Sequence, residues 1–215
     1  MSETLMPIQE FAIQVGEKIN NDVQDFLSAT VGMDELQMIL RGHLYIEHEL
    51  ERLLKIYLVE PKHILTDRFM FMNKLNLAIA LGGLSSSKKN SYKKLNDLRN
   101  RYVHALKFKM SEKDLTGLVD SFDAELKNEP SVEDWNEGLP EEYRTSRSNK
   151  LLSAILSMWT YLAREVYMLS MDVYSERIEK LEREFKQTDC TKTAEEHWME
   201  REELLNEMRL KLGMI

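Results

Sequence analysis

The chain has 215 residues, 43% apolar and 31% charged, which is the balance of a globular or long-helical protein in water. Eight glycines and four prolines are too few for a turn-rich β-sandwich, and a formal net charge of −8 argues against coating nucleic acid by bulk charge. A single cysteine, Cys190, excludes an internal disulfide and fits a reducing compartment.

The N-terminal stretch MSETLMPIQEF lacks the basic segment and apolar run of a secretory signal. The longest apolar stretches, such as LAIALGGL at 77–84, are far shorter than the roughly 18 residues that cross a bilayer. We therefore expect a cytoplasmic protein with no membrane partner.

Apolar residues recur at helical intervals along most of the chain. The predicted helices cover residues 8–28, 34–59, 67–82, 88–107, 112–126, 148–186 and 193–212. Asp34 and Ser111 stand where N-caps are expected, and Pro61 ends the second helix. The pattern predicts an all-α fold, an antiparallel helical bundle with additional long C-terminal helices.

Residues 127–146 interrupt this pattern with two prolines, one glycine and six acidic residues, and are predicted to form an exposed acidic loop. The other predicted parts are an N-terminal helix at 1–33, a compact core at 34–126 and long C-terminal helices at 147–215. We expect these last helices to pack on the core or on a second subunit. One hypothesis for the acidic loop is that it masks a basic surface of the same chain.

That basic surface is the segment between Ser85 and Met110. It holds eight lysines and arginines against the single acid Asp97, in a chain whose net charge is negative. Such local polarity is typical of a surface that binds a phosphate backbone. A solvated basic face, or one that pairs with the acidic loop, fits the sequence equally well.

The helix predicted over 88–107 contains the stretch LRNRYVHAL. On a wheel of about 100° per residue, Asn100 and His104 share the face opposite the core, and Arg99 lies at its edge, about 140° from His104. A straight helix cannot bring Arg99 and His104 together, so a joint role needs a local distortion or a second helix from another subunit. The alternative is that His104 is a solvated surface residue. Four residues form the apolar stripe of this helix: Leu95, Leu98, Tyr102 and Leu106.

Residues 71–106, FMNKLNLAIALGGLSSSKKNSYKKLNDLRNRYVHAL, resemble the HEPN superfamily of helical domains. One feature is an Arg-x4-His motif with a polar residue directly after the arginine, here RNRYVH from Arg99 to His104. The other is the preceding helix, which runs into a polar loop. The stretch GHLYIEHELERLLKIYL at 42–58 is similar to the long acidic helix that precedes these elements in the mannitol-repressor-like branch. The resemblance covers about residues 34–126.

HEPN domains usually dimerise with their motif helices at the interface, and many are metal-independent endoribonucleases of toxin–antitoxin and antiviral systems. The resemblance therefore implies a homodimeric endoribonuclease that acts on RNA without a cofactor, with an antitoxin or another regulatory protein as a further candidate partner. Other members have lost activity and serve as binding modules. A non-catalytic regulator related to the mannitol-repressor-like proteins is thus the alternative, and a plain helical scaffold is a third.

On the nuclease hypothesis His104 is the acid–base, Arg99 clamps the phosphate, and Asn100 orients His104 or the phosphate. RNA supplies its own nucleophile, the 2′-hydroxyl, which a neutral imidazole can deprotonate. The arginine stabilises charge on the scissile phosphate, so no metal is needed and the product ends in a 2′,3′-cyclic phosphate. Four basic residues are predicted to make secondary contacts with RNA: Lys93, Lys94, Arg101 and Lys107.

Glu47 and Tyr102 are assigned supporting roles. Glu47 is expected to pair with a cation of the basic helix and to help position it. His43 and Glu47 are four residues apart on one helix, but two ligands do not make a metal site, and no metal is predicted. His63 and His197 are isolated in the sequence and are expected at the surface.

Overall fold

The computed structural model describes residues 2–105, 107–135, 141–186 and 192–214. Over these ranges the chain is helical and contains no strand, which confirms the all-α fold. Short 3-10 turns lie at Pro61–His63 and Ser86–Lys88. The α-helices are α1 Ser2–Thr30, α2 Glu35–Tyr57, α3 Phe71–Ala80, α4 Lys89–His104, α5 Glu112–Val119, α6 Ala124–Lys127, α7 Val132–Trp135, α8 Glu141–Arg144, α9 Arg147–Phe185 and α10 Ala194–Lys211. In the described part of the chain, none of them has the length and apolar character to cross a membrane.

The chain divides into two compact units. The motif unit is Val23–Glu165, and the terminal unit combines Met1–Asp22 with Val166–Ile215. These divisions fall inside α1 and α9, whereas the boundaries expected from the sequence follow the ends of predicted helices and of the acidic loop.

Capping residues set the starts of α2 and α5, as predicted. The side chain of Asp34 accepts the backbone N–H of Gln37 at 2.8 Å, and the side chain of Gln37 accepts the N–H of Asp34 in return. Ser111 and Asp114 form the same reciprocal pair at the start of α5. Both boxes satisfy backbone donors that a helix start otherwise leaves without partners.

α4 turns its apolar stripe to the core of the motif unit, as predicted. Leu95 and Leu98 are buried, and Tyr102 is half-buried. One turn earlier, the buried Tyr92 donates its hydroxyl to the carbonyl oxygen of Met158 at 2.7 Å, which ties α4 to α9.

α4 ends at His104, earlier than the predicted end at 107, because the following segment folds back on it. The ring of Phe108 packs edge-on against Tyr102 at 4.7 Å, and the N–H of Met110 donates to the Tyr102 hydroxyl at 3.2 Å. This contact replaces the helical continuation that the wheel assumed. Leu106, the fourth member of the predicted stripe, lies outside the described residues.

The single helix predicted over 112–126 is two helices. Asp123 caps the start of α6, its Oδ1 accepting the N–H of Leu126 at 3.1 Å. The other oxygen of Asp123 accepts hydrogen bonds from Lys88 and, at 2.7 Å, from the Ser87 hydroxyl. A contact with residues far away in the sequence thus fixes a break that local periodicity does not show.

Residues 127–146 are not simply an exposed acidic loop. They include α7 and α8, and Val132 is fully buried. The side chain of Glu129 is shielded from solvent and forms an ion pair with Arg164 of α9, not with the basic segment. Residues 136–140 lie outside the described residues. The contact of Glu129 therefore gives no support to the idea that this segment masks the basic surface.

Within the terminal unit, α10 contacts both α1 and α9. Arg209 donates two hydrogen bonds to the side-chain oxygen of Gln14, at 2.9 and 3.0 Å. The ring of His197 stacks on Phe185 at 4.2 Å, and its Nε2 lies 3.1 Å from a carboxylate oxygen of Glu182. The expected surface position of His197 is wrong, because this stacking buries the ring. His63, by contrast, is exposed as expected.

Candidate functional site

α2 and α4 pack side by side in opposite directions. The Tyr102 hydroxyl donates to the carboxylate of Glu35 at 3.3 Å, and two turns further along α2 the Nε2 of His43 lies 3.1 Å from the Oδ1 of Asn96. Residue numbers rise along α2 as they fall along α4. The C-terminal half of α4, which carries the motif, therefore lies beside the N-terminal half of α2.

The three motif side chains lie in the last turns of α4. His104 is exposed, whereas Arg99 and Asn100 are half-buried. Asn100 was expected to face away from the core, but α2 packs along that side of α4, where Asn96 contacts His43 one turn earlier. Because α4 remains α-helical through His104, the Arg99 and His104 side chains diverge within one chain.

Arg99 differs from Lys88, Lys93 and Arg101 of the basic segment in its partners. Its Nη1 donates to the side-chain oxygen of Asn100 at 3.1 Å, and no carboxylate among the described residues lies within salt-bridge distance of it. A half-buried guanidinium held by a neutral amide is available to an external anion. Three other cations of the segment are already in ion pairs: Lys88 with Asp123 and Glu125, Lys93 with Asp97 at 2.6 Å, and Arg101 with Asp114 at 2.8 Å.

The predicted RNA contacts are thus not all free lysines and arginines. Lys94 donates to the carbonyl oxygen of Gly117, and Arg101 also lies over the ring of Phe108 at 4.6 Å. Lys107, beyond the end of α4, is exposed. An RNA backbone would have to share or displace the internal partners of Lys93, Lys94 and Arg101. These three side chains are therefore less available to RNA than Arg99 is.

A buried polar layer lies beneath the motif, where α2, α3 and α4 meet. His43 is only 4% exposed, and its Nδ1 lies 3.7 Å from a carboxylate oxygen of Glu47. Burial lowers the pKa of His43, while the hydrogen bond to Asn96 and the charge of Glu47 raise it and the charges of Arg99 and Lys74 lower it. The net effect is a lowered pKa, so His43 is a neutral imidazole at pH 7.

Glu47 pairs with Lys74 of α3, and not with a cation of the basic helix as expected. The buried Nζ of Lys74 lies 2.7 Å from Glu47 and 2.6 Å from Glu51. The expectation is wrong because α3 packs along the side of α2 from which these two carboxylates project, and its lysine reaches both. Tyr102, the other supporting residue, joins α4 to Glu35 of α2 through its hydroxyl.

Sequence reasoning missed His43, Asn96 and Lys74 as members of this layer. For His43 the signal was present, since it follows the buried Ile39 by four residues and precedes the buried Ile46 by three. That spacing places it on the inner stripe of α2. In the parts of the chain that the structure describes, no group of three or more potential metal ligands occurs.

No protein-family model, no curated protein and no solved structure matches this chain. The HEPN resemblance thus rests on the residues of the chain itself, and any functional assignment rests on the side-chain geometry of the motif unit.

Proposed function

We propose that the protein is a metal-independent endoribonuclease of the HEPN type whose site is completed by a second copy of the chain. The proposal depends on the surroundings of Arg99. Its guanidinium is half-buried, is held by the neutral Asn100 amide and has no carboxylate partner among the described residues. Binding a phosphate there requires no internal counter-ion to be displaced. His104 adds an exposed imidazole, a side chain that can act as a general acid or base.

In the proposed reaction, His104 of one copy takes the proton of an RNA 2′-hydroxyl as its oxygen attacks the adjacent phosphorus. The 5′-oxygen leaves with the electron pair of the broken P–O bond and receives a proton from an imidazolium. Arg99 of the other copy binds the non-bridging phosphate oxygens and stabilises their added charge. The products are a 2′,3′-cyclic phosphate and a free 5′-hydroxyl.

Exposed apolar side chains on α2, before α3 and on α4 support a second copy as the partner. Leu44 of α2 is 63% exposed, and Met70, directly before α3, is 66% exposed. Val103 is 50% exposed and lies four residues after Arg99, on the same side of α4. In a two-fold dimer a surface meets its own copy, so an interface that includes Val103 of α4 would bring two arginines and two histidines into one cleft.

RNA cleavage in the presence of EDTA tests the proposal. We expect the purified protein to cleave RNA and to leave DNA of the same sequence intact, because DNA lacks the 2′-hydroxyl. Arg99→Ala and His104→Ala should each abolish cleavage, whereas His63→Ala, at an exposed histidine outside the motif, should not. If the parent cleaves no RNA, alone or with an activating partner, the nuclease proposal fails and a non-catalytic HEPN-like binding module takes its place.

The same resemblance extends the proposal to a toxin or antiviral role in the cytoplasm, restrained by an antitoxin or another regulatory protein. Expression in bacterial cells should then arrest growth, and His104→Ala should relieve the arrest. If growth arrest persists in this variant, the toxicity does not depend on His104.

A further inference from the structure

We infer that the buried His43–Asn96 pair positions the Arg99–Asn100 clamp from one helical turn away. Neither His43 nor Asn96 belongs to the Arg-x4-His motif, and at 4% and 9% exposure neither is open to RNA. Both are therefore positioning residues and not catalytic ones. Their catalytic meaning rests on the proposed function, but their coupling to Arg99 can be measured without RNA.

The coupling follows from the spacing of two amides on α4. Asn96 and Asn100 are four residues apart and lie on one side of the helix. The Oδ1 of Asn96 lies 3.1 Å from the Nε2 of His43 on α2, and the Oδ1 of Asn100 accepts Arg99 at the same distance. Successive turns of α4 thus carry one amide anchored to α2 and one that holds the guanidinium.

Burial makes the anchor specific. If α4 rotates about its axis, His43 and Asn96 lose a hydrogen bond in a place that water does not reach, and each is left with an unsatisfied polar group. The ring of His43 is also held against Phe71 of α3 at 4.4 Å. The contacts with α2 and α3 therefore restrict the rotation of α4 near the motif, and with it the direction in which Asn100 presents Arg99.

Charge links the two pairs directly. The charged groups that act on His43 are Glu47 of α2, Lys74 of α3 and Arg99 of α4, and the Arg99 charge is close enough to oppose protonation of the imidazole. A neutral His43 supports Arg99 without adding a second positive charge beneath it. An apolar residue at position 43 would fill the space but leave Asn96 without its buried partner.

Histidine NMR titration tests the coupling in the absence of RNA, with the His43 signal assigned by its loss in His43→Gln. We expect His43 to titrate below the ordinary value of about 6.5. Arg99→Gln should raise the pKa of His43, because it removes a positive charge that disfavours the imidazolium. Arg101→Gln is the matched control and should leave it unchanged, since Arg101 is exposed and paired with Asp114. An unchanged His43 pKa in Arg99→Gln overturns the inference, whether or not the protein cleaves RNA.

Cleavage kinetics test the positioning role. His43→Gln keeps an N–H donor near the position of Nε2 and should cleave RNA almost like the parent. His43→Leu keeps the volume but has no donor, and its kcat should fall about tenfold or more with a smaller change in KM, because a misdirected clamp costs most in the transition state. Asn96→Leu removes the acceptor and should show the same fall in kcat with a smaller change in KM.

Circular dichroism and thermal unfolding show which variants remain folded. Folded His43→Leu and Asn96→Leu variants that cleave like the parent overturn the positioning role. If both variants fail to fold, an unchanged His43 pKa in Arg99→Gln still overturns the inference, and a raised pKa supports the coupling on which the inference depends. If the parent does not cleave RNA, the proposed function fails on its own, and the titration still decides the coupling.

Discussion

Lys88 shows how a single residue of the basic segment is committed to structure. Its side chain is 1% exposed, its amine contacts Asp123 and Glu125, and it lies 4.6 Å from the centre of the Tyr161 ring. Burial alone would raise the pKa of Asp123, but hydrogen bonds from Lys88 and Ser87 lower it to about 2. Part of the positive charge that suggested a nucleic-acid-binding surface is therefore neutralised inside the fold, where it holds α6 in place.

Asp123→Asn should reduce the stability of the motif unit at neutral pH. The depressed pKa means that the carboxylate stabilises the folded state above its ordinary pKa near 4, and that this contribution is lost as pH falls towards about 2. The shift corresponds to about 2 kcal/mol. The oxygen of asparagine can still cap α6, so the substitution removes the charge and the acceptor that faces Lys88 and Ser87.

Urea unfolding at pH 7 and at pH 3 checks this, with Asp120→Asn at an exposed neighbouring position as the control. The difference between the parent and Asp123→Asn should shrink at pH 3. Equal stabilities at pH 7 would show that the ion pair contributes nothing.

The packing of α2 on α9 requires a glycine. A Cβ atom at Gly42 would overlap the side chain of Ile155, which is fully buried. α2 thereby approaches α9 closely on one side while it carries His43 towards α4 on another. The position of the buried polar layer thus depends on the absence of one side chain.

Gly42→Ala should destabilise the protein by about 1–3 kcal/mol, because the added methyl group overpacks this contact. Gly16→Ala, in α1, is the matched control. No described atom lies within 4 Å of a Cβ placed there, and alanine should stabilise the helix by about 0.5–1 kcal/mol. Thermal unfolding measures the Tm of both variants. A Tm that rises in Gly42→Ala as well as in Gly16→Ala would contradict the overpacking at Gly42.

Leu44→Glu tests whether the exposed apolar side chain of Leu44 on α2 lies in an interface between two copies. At 63% exposure the substitution should leave the fold intact but bury a charge in the interface, and so shift the dimer towards monomer. Val59→Glu, at a 95% exposed position after α2, should leave the balance of dimer and monomer unchanged. Analytical ultracentrifugation compares the two variants. If the parent protein is monomeric at all concentrations, the proposed dimer is refuted.

Mixing two inactive variants tests whether one site uses residues of both copies. An Arg99→Ala chain paired with a His104→Ala chain leaves one of the two composite sites intact, so exchange of subunits should restore about a quarter of the parental cleavage. If each chain contained a complete site, both sites of the mixed dimer would be defective. Cleavage that stays at the level of the separate variants would therefore refute the composite site.

The helical class, the caps of α2 and α5 and the inward stripe of α4 were predictable from the sequence by itself. Each depends on residues within one or two turns of each other, where periodicity and capping act. The motif residues Arg99, Asn100 and His104 were assigned their roles from the HEPN resemblance, and the wheel already separated Arg99 from His104.

Only the tertiary structure decided the partners of the charged and buried polar groups. Lys74 reaches Glu47, Asp123 caps α6 while holding Lys88, and His43 meets Asn96 across 53 residues of chain. Such pairs depend on which helix faces pack together and at what rotation, and local spacing does not determine either. The early end of α4 has the same physical cause, because a returning segment competes with the next helical turn.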